Sequence, residues 1–123
     1  MKLFERFYPD EYQDSVYEIN FEALYNAGYR GVIFDIDNTL VPHGAPADKR
    51  SIALFDRLRM IGDESLLLSN NKEPRVKMFN DEVHSKYIYK AGKPSTKNYF
   101  KAMELMHTTP ETTMFVGDQL FTD

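Results

Sequence analysis

With 123 residues, 42% of them apolar and 14% aromatic, the chain has the size and composition of one compact domain with a single sizeable core. Its formal net charge of −4 provides no basic footprint, so no nucleic-acid partner is expected. The absence of cysteine excludes disulfides, thiolate metal sites and thiol nucleophiles.

The first 30 residues are rich in aromatics: Phe4, Phe7, Tyr8, Tyr12, Tyr17, Phe21, Tyr25 and Tyr29. They are expected to form an N-terminal arm (1–30) that packs across a core domain running from 31 to 123. Peripheral membrane contact or a partner-binding face is the competing reading. Glu5, Asp10, Glu11, Asp14, Glu18 and Glu22 are interleaved there and would oppose docking on anionic lipid. No apolar run approaches the roughly 18 residues that span a bilayer. The N-terminus also lacks the apolar stretch of a secretory signal, so a cytoplasmic location is the default expectation.

From Gly31 onward, short apolar runs alternate with amphipathic stretches. Gly31–Ile36 is a near-continuous apolar run, as expected of a strand buried on both faces. Ala47–Met60 places Ile52, Leu54, Phe55 and Leu58 at helical spacing, and Gly62 suits the position just past the helix end. Ser65–Ser69 reads as a second buried strand. Glu73–Asp81 reads as a short helix with Val76 and Phe79 turned inward. Tyr87–Tyr89 is a third, short strand. Pro94–His107 is a helix capped by Ser95 or Thr96, burying Tyr99, Met103 and Met106. Thr112–Val116 is a fourth strand. This alternation predicts an α/β fold, a parallel sheet with helices on both faces.

In such sheets ligands bind outside the carboxyl ends of the strands. Strand one ends at Asp35 and Asp37, strand two at Ser69 and Asn70, and strand four at Gly117-Asp118, while Lys93 follows strand three. An isolated strand-end Asp is ordinarily a cap or turn residue, Ser69 alone a turn hydroxyl, and Lys93 alone a solvated lysine. Together they place polar or charged groups on every strand end of one rim. Asp35 and Asp37 converge only if the backbone turns after the strand, which Asn38-Thr39, Pro42 and Gly44 allow. With Asp118 they make three carboxylates that repel unless a cation neutralises them, and oxygen ligands suit magnesium. Lys93 and the Ser69 hydroxyl add donors for phosphoryl oxygens. The set meets the needs of phosphoryl transfer through a carboxylate nucleophile. His43, just beyond the turn, is either on a flap over the site or simply exposed. Asn71 and Lys72 are candidates for substrate contact or for capping the next helix.

These residues resemble the four motifs of the haloacid-dehalogenase-like (HAD) hydrolase superfamily, in order. Asp35-Ile36-Asp37-Asn38-Thr39 matches its DxDxT, Ser69-Asn70 its second motif, and Lys93 its third. Gly117-Asp118-Gln119-Leu120-Phe121-Thr122-Asp123 matches GDQxxTD. The resemblance implies a Rossmann-like three-layer sandwich and a phosphohydrolase. In it Asp35 attacks phosphorus, and Asp37 is the acid and then the base. Ser69 and Lys93 hold the phosphoryl oxygens, with Thr39 and Asn70 also on the substrate side. Asp35, the Asp37 main-chain carbonyl, Asp118 and Asp123 serve the Mg2+ ion. An acid at position 37 favours phosphatase or phosphomutase over dehalogenase or transport-ATPase chemistry.

The intervals between motifs leave no room for a cap domain, so the site is expected to be open and to favour a large phosphorylated substrate, or a cap lent by another subunit. The finer resemblance is to subfamily IIIA and its YqeG-type phosphatases. Its cues are Asp37–Pro42, Leu68–Asn71, Ala91–Pro94 and the Tyr8-Pro9 arm. Related members are linked to phosphatidylglycerophosphate. That group continues beyond motif four with a further helix and strand, so C-terminal elements are expected to be missing here. A phosphoprotein phosphatase of the same fold, and a low-turnover regulatory module, are the rival readings.

Overall fold

The computed structural model describes residues 2–4, 16–91 and 96–117. Lys93, Asp118 and Asp123 lie outside the described residues, as do Pro94 and Ser95 at the expected start of the last helix.

Five parallel strands form one sheet. They are β1 (Lys2–Phe4), β2 (Gly31–Phe34), β3 (Glu64–Leu68), β4 (Lys86–Ile88) and β5 (Thr113–Val116), in the order β1-β5-β2-β3-β4. The four strands expected from the sequence are present. The edge strand β1 is additional, pairing Lys2 with Met114 and Phe4 with Val116. The helices are α1 (Phe21–Asn26), α2 (Lys49–Ile61), α3 (Glu73–Val83) and α4 (Thr96–Met106).

Side chains alternate across the sheet, and this splits the core in two. Val32, Phe34, Leu67, Met114 and Val116 face Phe21, Leu54, Phe55, Leu58, Val76 and Phe79 from α1, α2 and α3. Ile33, Leu66, Leu68, Ile88 and Phe115 face Tyr99, Ala102, Met103 and Met106 of α4. β2 and β5 are buried at every position, which explains their unbroken apolar runs. The result is a three-layer α/β sandwich.

Helix ends follow the local chemistry. Asp48 caps α2 by accepting from the Ser51 amide, while the Ser51 hydroxyl accepts from the Asp48 amide, both at 2.9 Å. Gly62 ends α2 at φ +105°, a left-handed conformation that favours glycine. α3 begins without a side-chain cap, Lys72 occupying that position, and runs two residues beyond its expected end. At the near end of the chain, Phe21 is buried edge-on against Phe34, with ring centroids 6.2 Å apart. Among the described residues no helix is long and apolar enough to cross a membrane.

Candidate active site

Because every pairing is parallel, all carboxyl ends share one rim. Phe34 is level with Leu67 on one side and Val116 on the other, so Asp35, Leu68 and Gly117 emerge together. The Asp35 amide donates to the Val116 carbonyl at 3.1 Å, and its side chain is buried. Gly117 lies hard against it. A Cβ there would collide with an Asp35 carboxylate oxygen and come within 2.6 Å of the Phe115 ring. Glycine is therefore what lets β5 end so close to this carboxylate.

The expected turn follows at once. The Thr39 and Leu40 amides donate back to the Ile36 carbonyl, and the Asn38 amide donates to Val41. Asn38 takes the left-handed conformation at φ +62°, which asparagine tolerates better than most residues. The turn carries Thr39 into the interior, where its hydroxyl has no hydrogen-bond partner among the described residues. Tyr17, from the aromatic segment, donates its hydroxyl to the Leu40 carbonyl at 2.8 Å and ties the N-terminal part to this turn.

Asp37 accepts from three donors on the rim. Its Oδ1 accepts from the Gly44 amide at 2.8 Å and from Arg75 Nη2 at 2.7 Å, and its Oδ2 accepts from Asn71 Nδ2 at 2.7 Å. Burial pushes this carboxyl up. The Gly44 amide, the Arg75 guanidinium and the Asn71 amide outweigh that and hold it below its ordinary value of 3.8. His43 Nδ1 stands 3.9 Å from Asp37 Oδ1, on a side chain that is largely exposed.

Asn71 links Asp37 to the second motif. Its amide and its Nδ2 both donate to Ser69 Oγ at 3.0 Å, leaving the hydroxyl proton available to a ligand. Of its two expected roles, helix capping is not the one observed, because the side chain turns to Asp37 and Ser69 instead. Asn70 is exposed on the rim. The loop toward the third motif is fastened to the same place. Ala91 donates to the Ser69 carbonyl at 2.8 Å and Lys90 to the Asn71 carbonyl at 2.9 Å. These bonds hold Ala91, two residues before Lys93 in the sequence, beside Ser69.

The candidate metal ligands are all oxygen donors, a set that fits a hard ion such as Mg2+. With its carboxylate committed to three protein donors, Asp37 would offer a cation its main-chain carbonyl. Among the described residues no group of three acidic or histidine side chains stands together. Between Asp37 and Ser69 lie only the turn, α2 and β3, and between Ser69 and Ala91 only α3 and β4. No inserted domain covers the rim in these intervals.

Arg75 and the Gly44 amide were not legible as site groups. Arg75 stands beside the inward-facing Val76 in an ordinary amphipathic helix, and its approach to Asp37 depends on how α3 crosses the sheet.

Compared with known proteins, the chain is 38% identical over 118 residues to the probable phosphatase YqeG of Bacillus subtilis (strain 168). The match spans 95% of this chain and 69% of that protein. No protein-family model matches the chain. No solved structure matches it either.

Proposed function

The chain belongs to the family of the probable phosphatase YqeG, and on that premise we propose that it is a magnesium-dependent phosphatase of the HAD type. It hydrolyses a phosphate monoester through an aspartyl-phosphate on Asp35. The observation that carries this reading is the rim itself. A buried strand-end Asp35 lies against Gly117, and an Asp37–Asn71–Ser69 chain of hydrogen bonds lies beyond the turn.

In the first step an Asp35 carboxylate oxygen attacks phosphorus and the bond to the leaving oxygen breaks, with Asp37 supplying its proton. In the second, Asp37 takes a proton from water as the water oxygen attacks the same phosphorus, and the Asp35–phosphorus bond breaks. The hydrogen bonds around Asp37 keep it ionised, which suits the second step directly. For the first it must bind a proton, which the negative charge of an arriving phosphoryl group promotes. The Ser69 hydroxyl and Lys93 orient the phosphoryl oxygens. Asp35, the Asp37 main-chain carbonyl, Asp118 and Asp123 would hold Mg2+, which neutralises charge on the phosphoryl group when bound.

The uncovered rim favours a large ester, such as phosphatidylglycerophosphate, with a phosphoprotein as the alternative. The test is hydrolysis of p-nitrophenyl phosphate with magnesium by the parent and by Asp35→Asn. Loss of activity on the order of a thousandfold or more is expected on removing the nucleophile. Equal rates would sink the aspartyl-phosphate mechanism. A screen with phosphatidylglycerophosphate, phosphopeptides and nucleotides then separates the substrate classes.

A further inference from the structure

We infer that Arg75 is a positioning residue. With Asn71 and the Gly44 amide, it fixes the Asp37 carboxylate in the orientation that both proton transfers require. The inference rests on the phosphatase reading above.

Three donors from three separate segments converge on one carboxylate. Gly44 comes from the loop after β2, Asn71 from the loop after β3, and Arg75 from the first turn of α3. They occupy both oxygens, so rotation of the carboxylate would break at least one short bond. The Arg75 and Asp37 side chains are only 15% and 16% exposed, so their 2.7 Å contact is well shielded from solvent.

The rest of the guanidinium argues against a merely stabilising role. Arg75 Nε and Nη1 are buried with no hydrogen-bond partner among the described residues. Unsatisfied buried donors oppose stability, and a residue kept only for packing would be better apolar. Their burial also argues against direct grasp of a phosphoryl oxygen. Arg75 acts through Asp37. Asn71 extends the arrangement, since the same Nδ2 that holds Asp37 also bonds Ser69 Oγ. One side chain thereby sets the spacing between the proton-transferring group and the phosphate-binding hydroxyl.

The experiment is a double-mutant cycle on the intact protein with p-nitrophenyl phosphate and magnesium. Arg75→Met should lower kcat about 10- to 100-fold while leaving KM within about threefold. In an Asp37→Asn background, assayed at high enzyme concentration, the same change should cost less than about threefold. Arg75→Lys, which keeps the charge but not the fork, should recover part of kcat and carries the cycle if the methionine variant does not fold. Equal losses in both backgrounds, or a rise in KM alone, overturn the proposal while leaving the phosphatase reading standing. A parent that hydrolyses no phosphate monoester overturns that reading, and this proposal with it.

Discussion

Asp37 and Asp63 are both largely buried, yet their environments drive them in opposite directions. Asp37 has three donors and is held below its ordinary value. Asp63, between α2 and β3, is 5% exposed and neither oxygen has a hydrogen-bond partner among the described residues. Burial pushes it up to about 6, with the Arg30 charge opposing and the Glu22 charge adding to the rise. The folded chain therefore binds this proton more tightly than the unfolded chain does. Well below pH 3.8 the carboxyl is protonated in both states and imposes no penalty. As pH rises from about 4 to about 6 stability falls, and it stays lower above that. Asp63→Asn should remove this slope, raising stability by about 1–2 kcal/mol at pH 7.5 and leaving it almost unchanged near pH 3.5. Urea unfolding at the two pH values measures it, and an equal change at both would rule the mechanism out. Neither environment was legible in the sequence, where Asp37 is marked by its motif but not by its donors and Asp63 is a lone aspartate after Gly62.

Among the elements, α2 was the most completely readable. Its apolar spacing, its start near Asp48 and its stop at Gly62 all depend on contacts a few residues apart. Because the Asp48–Ser51 box satisfies amides at its start, Asp48→Ala should cost about 1 kcal/mol of unfolding free energy. Chemical denaturation reads that loss directly, and no change would mean that solvent replaces the cap. By contrast α3 overran its expected end by two residues, since Val83 finds a place in the core and His84 closes the helix in the left-handed conformation. The edge strand β1 is three residues long, too short for a period to register. It exists through pairing with β5, more than a hundred residues away in the chain.

The whole molecule brings the ends of β2, β3 and β5 to one rim, and the proposed magnesium site draws on the residues that follow β2 and β5. If Asp35 is a ligand, magnesium at about ten times its dissociation constant should stabilise the parent by about 1.4 kcal/mol through mass action. A thermal melt with and without the ion should show the shift in the parent and not in Asp35→Asn. Identical shifts would place the ion elsewhere. The sequence alone determined the layer pattern and the chain order of the buried strands, and it singled out Asp35, Asp37 and Ser69 as candidates. Those features follow from residue type, local spacing and the rule that parallel strands expose their carboxyl ends together. The tertiary structure alone decided that Gly117 lies against the Asp35 carboxylate, that Asn71 spans Asp37 and Ser69, and that Arg75 closes on Asp37. Each of these contacts joins groups more than thirty residues apart or turns on the direction of one side chain, and such geometry exists only once helix and sheet have packed.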